Sequence, residues 1–291
     1  QWFTFFQRER EIRAGDSHGD IIFWPLMALA RYLEASHDLE FLETRLPFHQ
    51  AGASVPTLWQ HVERALAHIE AHCLPGTLLI AYGHGDWNDS MQPASAQLRD
   101  ELCSAWTVTL HYQMLNTLAA SLIDGEHAAR AASLRAMAGR IEQDFQQLLV
   151  VDDVVPGYMH TRADGARDYL LHPRDAVTGL RYSMLPIPHA ILSGILTPTQ
   201  AEQHLALIEQ HLLGPDGARL FDQPMRYRGG PTTLFQRAES AAFFGREIGL
   251  MYTHAHLRYA EAPAHVGRGA RFFAAHNLVN PIGLGARLPG A

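Results

Sequence analysis

The densest run of chemically able side chains is Tyr82-Gly83-His84-Gly85-Asp86-Trp87-Asn88-Asp89-Ser90-Met91. Two glycines let the backbone turn tightly, and two carboxylates flank an indole and an amide. An indole is a poor choice for a solvent loop but a good platform for a sugar ring, which has an apolar C–H face and a polar edge. A carboxyl beside such a ring loses hydration, its neutral form is favoured and its pKa rises. That is how a carboxylic acid stays protonated for general-acid work. The competing interpretation is an Asp/Asn/Ser turn that only caps a helix.

Two further segments have the same character. Arg13-Ala14-Gly15-Asp16-Ser17-His18-Gly19-Asp20 runs into Ile21-Ile22-Phe23-Trp24-Pro25. It reads as a glycine-containing turn feeding a helix N-terminus, where unpaired N–H groups favour anions. Arg13 has the fork geometry for phosphate or carboxylate, while Asp16 or Asp20 could serve as a plain N-cap. The last segment holds Gln236-Arg237-Ala238-Glu239 and then Gly245-Arg246-Glu247, with His254 and His256 beyond. Glu247 and His254 are seven apart and share a helix face, whereas His254 and His256 do not. A zinc site on these histidines needs a strand, and the stretch reads helical, so no metal is expected.

The elements that must position these residues are helical almost throughout. Apolar residues recur at spacings of three and four in Asp20–Ser36, Pro56–Cys73, Leu98–Ile123, Glu126–Leu149, Thr199–Leu213 and Phe244–Glu261, the last ended by Pro263. Strands are few; Val150–Val155 is β-branched and is expected to pair with Gly157–Thr161. Between the helices lie long polar segments, Ala81–Ala96, Arg162–Ser183 and Asp216–Pro231, and loops of more than about 12–15 residues are usually functional. This alternation predicts an all-α chain, helical hairpins arranged in an (α/α) toroid rather than a four-helix bundle, with long loops along one end carrying the site.

Composition narrows the function classes. The 291 residues are 47% hydrophobic and 18% charged, which excludes disorder. A net charge of −7 argues against nucleic acid, and no apolar stretch reaches the roughly 18–20 residues of a membrane helix. All 23 basic residues are Arg, mainly a genomic composition bias, although Arg also suits oxyanion binding better than Lys. Cys73 and Cys103 form neither a disulfide framework nor a zinc pattern, so a cytoplasmic setting is expected. A start without Met and a Gly/Pro-rich end suggest a piece of a longer protein.

In series, the three segments resemble the inverting glycoside phosphorylases of glycoside hydrolase family 94, the cellobiose, chitobiose and β-glucan phosphorylases. Gly85 to Met91 is similar to the family's Asp-Trp-Asn-Asp motif. Asp20 with Ile21 to Pro25, then Ala30-Arg31-Tyr32-Leu33 and His37-Asp38, resembles its Asp-Leu-Leu-Trp-Leu-Pro helix and acidic turn. Glu247 with His254 resembles its Glu-Asn-Gly…His segment. Gly83-His84-Gly85-Asp86 and Tyr227-Arg228-Gly229-Gly230 are more similar to the β-1,3-glucan phosphorylases. The likeness spans Arg13 to Pro281, and Gly19 stands where many relatives have a second Asp.

The resemblance implies one catalytic (α/α)6 toroid-type barrel domain over residues 1–291, incomplete as a ring of twelve helices, and phosphorolysis of a β-glucoside or β-glucan to a sugar 1-phosphate, with inorganic phosphate as co-substrate and no cofactor. Asp89 would be the general acid, with Asp86 the competing candidate. Trp87 would stack on the sugar, and Asp20, Asn88, Asp86 and Glu247 would meet its hydroxyls. Arg13 and His254 would hold phosphate. Relatives pair through parts outside this chain, so the oligomeric state stays open, with a homodimer through those parts as one outcome. Two alternatives stay open: an inverting hydrolase with Glu239 or Glu247 as base, and a non-catalytic carbohydrate-binding fragment.

Overall fold

The structure is a computed structural model, and it describes residues 6–7, 12–13, 19–48, 55–122, 125–225, 231–240 and 251–282. A short antiparallel pair, β1 (Phe6–Gln7) and β2 (Ile12–Arg13), precedes the helical body. Four helices pack side by side in chain order: α1 (Phe23–Ser36), α4 (Ala105–Ser121), α6 (Pro186–Ser193) and α9 (Thr253–His265). Behind three of them lie second helices: α5 (Ala128–Leu148) on α4, α7 (Pro198–His211) on α6 and α10 (Gly269–Val279) on α9.

Burial separates the two rows. In α4, 12 residues from Ala105 to Ser121 are buried on every side of the helix, so it is an inner element. In α5 the buried set Ala131, Leu134, Ala138, Ile141, Phe145 and Leu148 makes one stripe, leaving the other face for water. Inner and outer helices thus alternate along the chain, the (α/α) arrangement the periodicity predicts. Among the described residues the inner row has four members.

Local chemistry explains most boundaries. α2 (Leu58–Ala71) and α7 each start with a capping box, Thr57 with Gln60 and Thr197 with Gln200. α1 begins at Phe23 rather than Asp20, and Pro25 sits in its first turn, where the missing N–H has no intrahelical partner to lose.

The expected helix Leu98–Ile123 is two helices. α3 (Ala96–Glu101) ends at a short strand, β3 (Leu102–Ser104), before α4 begins. β3 pairs antiparallel with β4 (Tyr158–Thr161), Cys103 opposite Met159, and β4 pairs with β5 (Arg167–Leu170). Tertiary pairing overrides helical periodicity here, because Leu102, Cys103 and Ser104 are all buried. Val150–Val155 is not the partner of β4: Asp152 and Asp153 both take positive φ and close a tight turn joined by a Val151–Val154 bridge.

Pro263 does not end the helix around it, which runs on to His265. Helix α6 and helix α10 are also present where the periodicity predicts nothing. A further short strand pair, β6 (Leu213–Gly214) with β7 (Gly217–Ala218), closes the loop after α7.

Candidate active site

The loop from Ala81 to Ala96 is built on close backbone approach. Gly83 and Gly85 take positive φ, and the N–H of Gly19 donates to the Gly85 carbonyl at 2.6 Å. A Cβ on Gly19 would stand 2.5 Å from the Tyr82 carbonyl oxygen. The segment that leads into α1 is therefore seated directly on the loop, and only glycine fits at the contact. Asp20 follows; it is buried, and its Oδ2 accepts the Trp24 indole N–H at 3.0 Å. Its side chain is not the N-cap of α1, since Ile22 occupies that position without a side-chain cap.

Asp86 is fully buried. Its Oδ2 accepts from the Ser104 hydroxyl at 2.6 Å and the Thr107 hydroxyl at 3.1 Å. Its Oδ1 accepts from the Asn88 N–H at 3.0 Å and the Tyr82 hydroxyl at 3.2 Å. Burial raises the Asp86 pKa, and the four donors oppose that without overcoming it. Tyr82 and Tyr158, edge to face nearby, are pushed well above the usual phenol value by burial and by the same carboxylate.

After Asp86 the chain turns outward. Asn88 is buried and its Oδ1 accepts from the Ser90 N–H, capping the 3-10 turn Asp89–Met91. That turn lifts Asp89 into a half-exposed position, its Oδ2 3.7 Å from a guanidinium nitrogen of Arg237. Arg237 belongs to the short helix α8 (Gln236–Ser240), which packs on the turn. Backbone bonds from Gln236 N to Gln92 O and from Ala94 N to Leu234 O, both 2.9 Å, lash the two segments together.

Trp87 meets the start of α9. Its ring stands edge-on to Tyr252 at 5.3 Å and tilted against His254 at 5.2 Å. His254 is held below the usual imidazole value by desolvation and then by the charge of Arg258. His256 faces the other way: it is buried, takes the Ala218 N–H at 2.9 Å and contacts the Ala275 carbonyl at 2.8 Å. The two histidines do not share a face. Among the described residues no group of three or more His, Cys, Asp or Glu could hold a metal ion.

A half-exposed carboxyl facing a cation, two residues along the loop from an indole packed on an imidazole, is a constellation suited to glycosyl transfer. Residues 6–287 match the catalytic domain of the glycosyl hydrolase 94 superfamily. The chain belongs to that family. It is 39% identical to a 1,2-beta-oligoglucan phosphorylase of Listeria innocua, over all of this chain and 27% of that protein. The chain thus spans about a quarter of that relative's length. A GH78 family rhamnosidase of Bacillus sp. GL1 shares the fold, with a TM-score of 0.51 and 18% identity over 87% of this chain and 20% of that one.

In this family 94 domain, the residues singled out in the sequence other than Asp20 fall into four groups. Trp87, Asn88, Asp89 and His254 lie together around one loop and one helix start. Asp86 lies beneath them with every side-chain oxygen occupied, so it has no oxygen turned toward a sugar. Glu247, the Arg13 side chain, Asp16 and Tyr227 to Gly230 are outside the described residues. Glu239 receives the backbone N–H groups of Thr233, Leu234 and Phe235 and the Thr233 hydroxyl. Burial raises its pKa, but these donors outweigh burial and leave it lowered.

Ser104, Thr107, Tyr252 and Arg237 were not assigned to the site from the sequence. The first two sit in an unremarkable Leu-Cys-Ser-Ala-Trp-Thr run, and only the three-dimensional path brings them to Asp86. Arg237 stands in the segment Gln236-Arg237-Ala238-Glu239, but no spacing in the sequence links it to Asp89, 148 positions earlier.

Proposed function

We propose that this domain carries out inverting phosphorolysis of β-linked gluco-oligosaccharides. In this reading an oxygen of inorganic phosphate attacks the anomeric carbon, the glycosidic C–O bond breaks, and Asp89 gives its proton to the departing sugar oxygen. The products are an α-sugar 1-phosphate and a shortened saccharide. Trp87 forms the platform under the ring, and Asp20, Asn88 and Glu247 meet hydroxyls. Arg13 and His254 receive phosphate, which is already anionic and needs a donor-rich pocket rather than a base.

The observation that carries this reading is one loop that holds Asp89 half-exposed beside Arg237 and, two residues earlier, packs the Trp87 ring on His254. The identity to a 1,2-beta-oligoglucan phosphorylase favours a β-1,2 linkage over the β-1,3 linkage that Gly83 to Asp86 suggested. Asp86 serves the site from below, as the fixed base of the loop. Glu239 is committed to backbone donors, which removes one of the two bases a hydrolase could use. The free thiols Cys73 and Cys103 suit a reducing, cytoplasmic setting.

The test is incubation of β-1,2-gluco-oligosaccharides with and without inorganic phosphate. Sugar 1-phosphate formed only with phosphate supports the reading. Equal cleavage in phosphate-free buffer overturns it in favour of hydrolysis.

A further inference from the structure

The contact between Asp89 and Arg237 has a geometric consequence for the second sugar. In an inverting reaction the acid and the attacking group stand on opposite faces of the ring; where water attacks, the two carboxyl groups are roughly 6.5–9.5 Å apart. The Arg237 guanidinium is 3.7 Å from Asp89, too near to stand across the ring from it. It lies on the acid's side, where the glycosidic oxygen and the departing saccharide must be. It is not loosely held there, because α8 is tied to the Asp89 turn through Gln92, Pro93 and Ala94. Its side chain is 48% exposed and can reach a ligand. A guanidinium offers five N–H donors in a rigid fork, a match for neighbouring hydroxyls of a sugar.

We propose that Arg237 is a specificity-determining residue for the leaving saccharide: its guanidinium donates to hydroxyls of the unit that departs in phosphorolysis and enters as acceptor in synthesis. The inference rests on the phosphorolysis reading above. It also separates the two cationic groups by task, Arg13 with His254 for phosphate and Arg237 for the acceptor.

The experiment measures synthesis by the intact protein, varying the acceptor oligosaccharide at fixed sugar 1-phosphate and then the reverse. Arg237→Gln is expected to raise the acceptor KM about 10- to 100-fold, the range for a lost hydrogen bond to a charged group, and to leave the sugar phosphate KM unchanged. Arg237→Lys keeps the charge without the fork and is expected to fall between; it also carries the test if the Gln variant fails to fold. A raised KM for sugar phosphate with an unchanged acceptor KM overturns the inference and puts Arg237 on the phosphate side. A fall in kcat with neither KM changed also overturns it, leaving Arg237 as a partner of Asp89 alone. A wild-type protein that neither forms sugar 1-phosphate in phosphorolysis nor consumes it with release of phosphate in synthesis sinks the phosphorolysis reading as well, an outcome distinct from both.

Discussion

The Ser104 hydroxyl donates to Asp86 Oδ2 at 2.6 Å, and the same hydroxyl oxygen accepts the Thr107 N–H at the start of α4. One residue thus breaks the run of helix, begins the most buried helix of the inner row and anchors the loop that carries Asp89.

Removing the anchor should therefore cost stability before it costs chemistry. Asp86→Ala leaves three hydroxyls and one backbone N–H without their acceptor. At about 1–3 kcal/mol for a buried group left unsatisfied, the loss should be at least about 3 kcal/mol in urea unfolding. A decrement below about 1 kcal/mol would show that the network is dispensable.

Asp86 also predicts a pH dependence. Burial holds its folded pKa above the ordinary value of 3.8. The folded state keeps this proton more tightly than the unfolded chain does. Its contribution is therefore full below the unfolded value and is lost as pH rises through the raised folded one. The stability difference between wild type and Asp86→Asn should shrink from about pH 4 upward. A difference that grows with pH contradicts the assignment.

His111 predicts the opposite slope. It is fully buried against Phe23, neither ring nitrogen has a hydrogen-bond partner, and burial pushes its pKa down to about 3. The unfolded chain takes up a proton below about 6.5 and the folded one resists it, so stability is lost as pH falls through that window. His111→Leu should stabilise the fold by about 1 kcal/mol or more at neutral pH, raising the melting temperature, and flatten the acid limb. Destabilisation at neutral pH would mean the imidazole has a task the packing does not reveal.

Gly19 should tolerate no side chain. A Cβ would press on the Tyr82 carbonyl at 2.5 Å, and backbone cannot yield there as a flexible side chain can. Gly19→Ala should cost about 1–3 kcal/mol and lower turnover by shifting the loop that holds Asp89. Wild-type stability and turnover in that variant would show that the two segments can part freely.

Much of this was legible in the sequence, for specific reasons. Amphipathic spacing gave α1, α2, α5 and α7, because each buries a single stripe against one neighbour. The loop from Tyr82 to Met91 announced itself through an indole, an amide and two carboxylates between glycines. α6 was hidden because it is short and carries two prolines, Pro186 and Pro188. The break at Leu102–Ser104 was hidden because it depends on β4, some 55 residues later. The different fates of Asp86 and Asp89 were equally illegible: three residues apart, they are separated by a turn that buries one carboxyl and exposes the other.

The most direct test of Asp89 as the proton donor compares Asp89→Asn with wild type on two leaving groups. With a β-gluco-oligosaccharide and phosphate, whose departing alkoxide needs a proton, turnover should fall by about 10²–10⁴-fold. With a nitrophenyl β-glucoside, whose departing phenolate needs none, the fall should be far smaller. An equal loss on both substrates, or near-normal turnover of the oligosaccharide by the Asn variant, contradicts the assignment.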